Sequence, residues 1–121
     1  MNRQELEHRF ERFGMGIIQY TRQFDNNKIN EHLKSQIIRS GTAPALHYAE
    51  SGDAESVKDF IHKLKIALKE LRETRSILRI IKGGKFQPDP ALEQLIVENG
   101  ELIAILISSV KTSKRNLDDI G

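Results

Sequence analysis

The sequence contains no cysteine and no tryptophan, and its longest uninterrupted apolar run is Leu102–Ile107. Without cysteine there can be no disulfide, no thiolate nucleophile and no cysteine metal site, which suits a reducing compartment, and we expect a cytoplasmic protein. A membrane-spanning helix needs about 20 apolar residues. The N-terminal segment, MNRQELEHRFERFG, is charged where a signal peptide has an apolar stretch. We therefore expect no membrane partner.

The composition suits one globular domain over residues 1–121, with 38% hydrophobic and 30% charged residues. The net charge of +2 is unevenly distributed. Residues 54–85 hold nine Lys or Arg against four Asp or Glu, whereas residues 86–121 hold three against six. The basic excess therefore lies in one segment.

The first two helices follow from apolar spacing and turn residues. Spacings of four and three form one stripe on a first helix that should end near Phe24, through Leu6, Phe10, Phe13, Ile17, Tyr20 and Phe24. Residues 25–27, Asp-Asn-Asn, favour a turn, and a second helix should span Lys28–Glu50. Pro44 lies inside it, beside the small residues 40–43. We expect one kinked helix that a neighbour approaches closely.

Two further helices complete the pattern. Asp53 should cap a third helix that ends at Gly83–Gly84, with a seam of Val57, Ile61, Leu64, Leu68, Leu71, Arg75 and Leu78. Asp89 followed by Pro90 starts the fourth. Its seam is Leu92, Ile96, Asn99, Ile103, Leu106, Val110 and Leu117, while Gly100 should mark a close helix contact and residues 118–121 should fray. Short connections then predict an all-α, antiparallel up-down-up-down four-helix bundle.

The fourth helix carries more apolar surface than one stripe requires. We predict that this surplus, with apolar residues of helix 3, is buried against other subunits of a homo-oligomer. The predicted interface comprises Leu95, Leu102, Ile105, Ile107, Ile66, Ile77 and Ile80. The alternative is a broad core stripe with scattered exposed Ile and Leu.

Two middle segments, QIIRSGTAPALHYAE (36–50) and AESVKDFIHKLKIALKELRET (54–74), carry a family resemblance. They resemble the small bacterial four-helix-bundle proteins encoded in intervening sequences of large-subunit ribosomal RNA genes. Matching positions include Arg39–Ser40, Glu50, Phe60, Lys69–Glu70 and Glu73–Thr74. Departures are Ala43–Pro44 in place of Ser and an aliphatic residue, His47 in place of Asn, and Arg75–Ser76 in place of an aromatic residue.

The resemblance implies a protomer that assembles into a ring, in known cases a homopentamer with a central channel. Through related accessory proteins of diversity-generating retroelements, it also implies a basic surface that engages nucleic acid and a reverse transcriptase. Both implications are expectations.

The residues themselves offer a basic face on helix 3. The cations recur at spacings of seven, four, three and seven: Lys58, Lys65, Lys69, Arg72 and Arg79, with Lys82 and Lys85 beyond them. Such a row can bind a nucleic-acid backbone without reading bases. The alternative is an ordinary solvated face partly paired with acids such as Glu73. No aromatic residue interleaves the row, so base stacking is unsupported.

Other chemistry has less support. Arg39 is expected to pair with Glu50 or Glu70. Glu5 and His8 have the Glu-x-x-His spacing of di-iron bundles, but no second such motif follows. Gly83-Gly-Lys85 lacks the remaining residues of a phosphate loop. We expect no enzyme, no metal and no cofactor, and hold two hypotheses: a nucleic-acid accessory protein, or a protein scaffold or small-ligand-binding ring.

Overall fold

A computed structural model describes residues 1–84 and 89–120, and every regular element in those residues is an α-helix. The four helices are α1 (Arg3–Thr21), α2 (Lys28–Ser51), α3 (Val57–Gly83) and α4 (Pro90–Ile120). The predicted all-α class with four helices is confirmed.

Polar side chains fix where the first three helices begin. Asn2 and Glu5 form a capping box at α1, and the Asn27 side chain accepts the backbone N–H of Asn30 at the start of α2. At α3 the Ser56 hydroxyl accepts the N–H of Asp59 at 3.0 Å. The prediction that Asp53 caps α3 is therefore wrong, since the turn after α2 continues to residue 56.

The fourth helix begins where the sequence indicated. The Asp89 carboxylate accepts the backbone N–H of Leu92 at 3.2 Å, and Pro90 is the first helical residue. At its other end α4 continues to Ile120, past the point where fraying was expected to begin. The first helix ends at Thr21, three residues before the predicted Phe24.

One apolar cluster joins the four helices. Its largest fully buried apolar members are Phe10, Ile17, Ile37, Leu64, Leu71, Leu78, Leu92, Leu102 and Leu106. Most belong to the predicted seams, whereas Leu102 was assigned to a subunit interface. Full burial of one such side chain stabilises the fold by about 1.5–3 kcal/mol. The core is therefore the main source of stability, as the seam spacing predicted.

The second helix passes through Pro44 without a break. A neighbour approaches it closely, as predicted: a Cβ added at Gly41 would lie 2.9 Å from Ile17 Cγ1, and one added at Gly14 would lie 3.5 Å from the Gly41 carbonyl oxygen. Glycine on both helices lets α1 and α2 pack this tightly.

Contacts between helix ends define the layout. The Arg3 guanidinium, at the start of α1, donates to the Tyr48 carbonyl near the end of α2 at 2.6 Å. Lys63 in the first half of α3 pairs with Glu50 at the end of α2. Lys82, near the end of α3, pairs with Glu93 at the start of α4. Consecutive helices thus contact each other end to start.

Candidate nucleic-acid interface

The five cations predicted to bind nucleic acid all lie on α3, and all are exposed: Lys58, Lys65, Lys69, Arg72 and Arg79. Lys65 lies at the edge that faces α4, close enough to Lys114 for the two like charges to repel each other. That neighbouring cation lowers the pKa of Lys65. The structure therefore brings like charges together across the seam between the two helices.

Within the described part of the chain, none of these five cations has a carboxylate partner. Two other cations of α3 are paired, Lys63 with Glu50 at 3.3 Å and Lys82 with Glu93 at 2.9 Å. Arg75 of α3 and several cations of the other helices, such as Arg12 and Lys34, form no ion pair among the described residues. Within residues 1–84 and 89–118, no ion pair joins any of the five predicted cations to an acid. The predicted extension through Lys82 is thus neutralised, and Lys85 lies outside the described residues.

The fourth helix adds three exposed cations, Lys111, Lys114 and Arg115, which the sequence analysis did not include. They are three and four residues apart, so they share one side of α4. Their spacing was visible in the sequence, and Lys114 is the member whose charge reaches Lys65 of α3. We call this surface the α3–α4 basic face: Lys58, Lys65, Lys69, Arg72, Arg79, Lys111, Lys114 and Arg115.

The residues predicted to form a subunit interface separate into two groups. Leu102, Leu95 and Ile77 are buried within the chain's own core, so their apolar character requires no second subunit. Ile66, Ile105 and Ile107 are half-buried, and Ile80 is 64% exposed. Only this second group leaves surface for a partner.

Gly100 also differs from expectation. A Cβ added there would meet no atom within 4 Å, so the predicted close helix contact does not exist within the chain. Val97, one turn earlier, is 60% exposed.

Arg39 pairs with acids of α3. Of the two expected partners, it contacts Glu70 and not Glu50. Its guanidinium donates to Glu70 at 2.9 Å and also contacts Glu73, while Glu50 binds Lys63 instead. These pairs join α2 to the α3 edge opposite the basic face. Two of the three acids of α3, Glu70 and Glu73, are therefore occupied with α2, while Asp59 lies in the first turn of α3.

A second ionic cluster joins α1 to α4. Arg9 donates to both oxygens of Glu98, at 2.7 and 2.8 Å, and to Glu101 at 2.7 Å. The hydrogen bond to Arg9 lowers the pKa of Glu98, although partial burial opposes the shift. Two bonds to one carboxylate fix the geometry better than a single contact.

Three buried polar residues lie in the core beside the apolar seam. Thr74 donates to the Ser40 hydroxyl at 2.8 Å, and Asn99 donates its amide to the Leu71 carbonyl at 3.0 Å. The Asn99 carbonyl oxygen has no hydrogen-bond partner among the described residues. A buried acceptor of this kind costs stability.

A groove of about 600 Å³ separates α1 from α4. Its floor contains Phe13, Tyr20 and Leu95, and its rim carries Arg12 and Arg22. A groove of this size is in the range of small-molecule sites.

The two residues of the Glu-x-x-His motif in α1 make contacts unrelated to metal binding. Glu5 belongs to the N-terminal capping box, while His8 is exposed beside Glu11. In the part of the chain that the structure describes, no group of three or more His, Cys, Asp or Glu could hold a metal ion. None of its helices has a stretch apolar and long enough to cross a membrane.

These features define a class: a small protein of four helices around one apolar core, with a row of exposed cations on α3. The chain belongs to the 23S rRNA-intervening sequence protein family, whose model matches residues 5–108. This confirms the family suggested by the two middle helices.

A solved structure gives the same result. The chain is similar, at 29% identity and a TM-score of 0.82, to a protein of unknown function from the S23 ribosomal protein family of Bacteroides thetaiotaomicron, known from a crystal structure at 1.70 Å resolution. The likeness covers 92% of this chain and 99% of that one. No match was found among curated proteins.

Proposed function

We propose that the chain is a non-enzymatic, cytoplasmic accessory protein that binds the backbone of RNA or DNA through the α3–α4 basic face. The observation that carries the proposal is that five exposed cations lie on one face of α3 and that none of them forms an ion pair within residues 1–84 and 89–118. Unpaired cations release counterions from phosphates on binding, which favours association. The ribosomal-RNA setting of the family is consistent with such a partner.

The proposed protomer is an antiparallel up-down-up-down bundle. Pairs of contacts support this order, because the residue numbers rise along one helix as they fall along its neighbour. For α1 and α4 these are Arg9 with Glu98 and Tyr20 with Asp89. For α2 and α3 they are Arg39 with Glu70 and Glu50 with Lys63, and Arg3 at the start of α1 meets Tyr48 near the end of α2.

The proposed assembly is a homopentameric ring. The half-buried apolar residues of α3 and α4, together with exposed Ile80 and Val97, support a subunit contact. A ring would repeat the basic face five times and strengthen the local field. A reverse transcriptase is a candidate protein partner.

The first experiment is a light-scattering mass on a sizing column at low and high salt. The ring predicts a mass near five times 13.8 kDa at both salts, and a stable monomer would refute it. Electrophoretic shift of labelled RNA and DNA then tests the basic face. A Lys65→Glu, Lys69→Glu, Arg72→Glu variant should lose the salt-dependent shift, and retained binding would place the site elsewhere.

One observation favours a second candidate, a ring that binds a small molecule. The groove between α1 and α4 has an apolar floor and two arginines at its rim. For this candidate, neither RNA nor DNA binds in low salt, and a small organic anion raises the melting temperature. An Arg12→Gln, Arg22→Gln variant should abolish that increase.

A further inference from the structure

We propose that the groove between α1 and α4 binds an elongated dianion, a small molecule with a carboxylate at each end and an apolar chain between them. The inference rests on the second candidate function, a small-molecule site, and names the class of ligand that the groove fits. Its basis is the order of charged and apolar residues along the groove.

Two contacts join α1 to α4 along the groove. Arg9 donates to both oxygens of Glu98, at 2.7 and 2.8 Å, and the Tyr20 hydroxyl donates to Asp89 at 3.1 Å. The two contacts are separated by about 17 Å of α1. The groove of about 600 Å³ follows this stretch of the two helices. Its long direction is therefore parallel to the helices, and an elongated ligand lies along them.

Two arginines stand at different ends of the groove. Arg12 and Arg22 both line it. They are ten residues apart, and Arg22 continues the helical backbone as the C-cap of α1, so the two positions lie about 15 Å apart along the helix. One compact anion can reach only one of these guanidinium groups at a time. A molecule with an anionic group at each end can reach both.

The acids beside the groove are already engaged within the chain. Both oxygens of Glu98 accept hydrogen bonds from Arg9. The oxygens of Asp89 accept from the Tyr20 hydroxyl and from a backbone N–H of α4. The two rim arginines, in contrast, form no ion pair within residues 1–84 and 89–118. Guanidinium groups bind carboxylates through charge-assisted hydrogen bonds, so the groove favours an anion over a cation.

The part of the groove between the arginines is apolar. Phe13 and Leu95 form its floor, and both are buried in the core. Gly16 and Ala91 line it without bulky side chains, and a Cβ added at Gly16 would lie 3.3 Å from the Leu95 side chain. A hydrocarbon chain on this floor is removed from water, which favours a ligand with an apolar middle.

The test is an NMR titration of isotope-labelled protein with three molecules of equal chain length: decanedioate, decanoate and the neutral decanediol. We expect decanedioate to bind at least about threefold more tightly than either of the others, because only it can pair with both arginines. The backbone amide signals of Gly16 and Ala91 should shift most. Butanedioate is too short to reach both arginines and should bind at least about tenfold more weakly than decanedioate.

Matched variants locate the two ends. Arg12→Gln and Arg22→Gln should each weaken decanedioate binding by about twofold to fivefold and leave decanediol binding unchanged. Lys34→Gln removes the same charge from α2, outside the groove, and should leave every affinity unchanged. Ala91→Trp fills the groove without changing either arginine and should abolish binding of all three molecules. Circular dichroism checks that each variant is folded.

The failures are distinguishable. If decanoate, decanediol or butanedioate binds as tightly as decanedioate, or if the arginine variants have no more effect than Lys34→Gln, the two-ended ligand is wrong and a small-molecule site in the groove still stands. If none of the molecules shifts the groove signals, the second candidate function itself is wrong. Binding of nucleic acid to the α3–α4 basic face is measured separately by the electrophoretic shift.

Discussion

Two glycines in helix interiors should respond oppositely to the same substitution. Gly41 in α2 faces Ile17, whose Cγ1, Cγ2 and Cβ atoms would lie 2.9, 3.1 and 3.3 Å from an added Cβ. Gly100 in α4 faces open space, with no atom within 4 Å. Alanine at either position gains helix propensity, but only Gly41→Ala must also displace a neighbour.

The magnitudes follow from these distances. Replacing an interior glycine by alanine stabilises a helix by about 0.8–1 kcal/mol. Ile17 is fully buried and β-branched, so it cannot turn away by a simple rotation, and such overpacking costs about 1–3 kcal/mol. We expect Gly100→Ala to raise the free energy of unfolding by about 1 kcal/mol and Gly41→Ala to lower it by about 1 kcal/mol.

Urea unfolding followed by far-ultraviolet circular dichroism measures both changes. The melting temperatures should move in opposite directions, by about 4 °C each for a domain of this size. Stabilisation by Gly41→Ala would refute the reasoning about the α1–α2 contact. Destabilisation by Gly100→Ala would refute the open space at that position; if the solution mass also fell, the position would instead contact another subunit.

Three further predictions concern polar groups. Asn99→Leu should raise the free energy of unfolding by about 1–2 kcal/mol, because it removes a buried acceptor without a partner. A decrease of the same size in the free energy of unfolding, measured with urea, would contradict this. Arg9→Met should lower the melting temperature at neutral pH but not at about pH 2. Because Arg9 lowers the pKa of Glu98, the ion pair stabilises the fold at pH values above the usual carboxyl pKa. This stabilisation is lost as the pH falls through the lowered pKa of Glu98. An equal effect at both pH values would exclude this linkage. Ser56→Ala should destabilise by about 1 kcal/mol and Asp53→Ala by much less, as thermal unfolding would show; the reverse order would restore Asp53 as the cap.

Much of the fold could be predicted from sequence, because seam spacing and cap residues are local signals. The number of helices, the Asp89–Pro90 start and the continuity of α2 through Pro44 all followed from them. The start of α3 was misplaced because Asp53 and Ser56 are both good cap residues. Only the path of the turn after α2 selects Ser56, and that path depends on packing.

The candidate site could be predicted only in part. Charge periodicity identified the α3 row, but whether a cation is paired depends on acids from other helices, such as Glu50 for Lys63. The extra apolar residues of α4 also could not be assigned from the sequence, because their burial depends on the other helices. Leu95 and Leu102 are buried within the protomer, and counting apolar residues cannot separate a core shared by several helices from a subunit interface.

Lys65 and Lys114 are exposed like charges on neighbouring helices. Lys114 disfavours the charged form of Lys65 in the free protein, and salt screens that repulsion. Added salt should therefore make the unliganded fold more stable while it weakens attachment to phosphates. A phosphate backbone that neutralises both ammonium groups would stabilise the native state, so its binding would appear as resistance to heat.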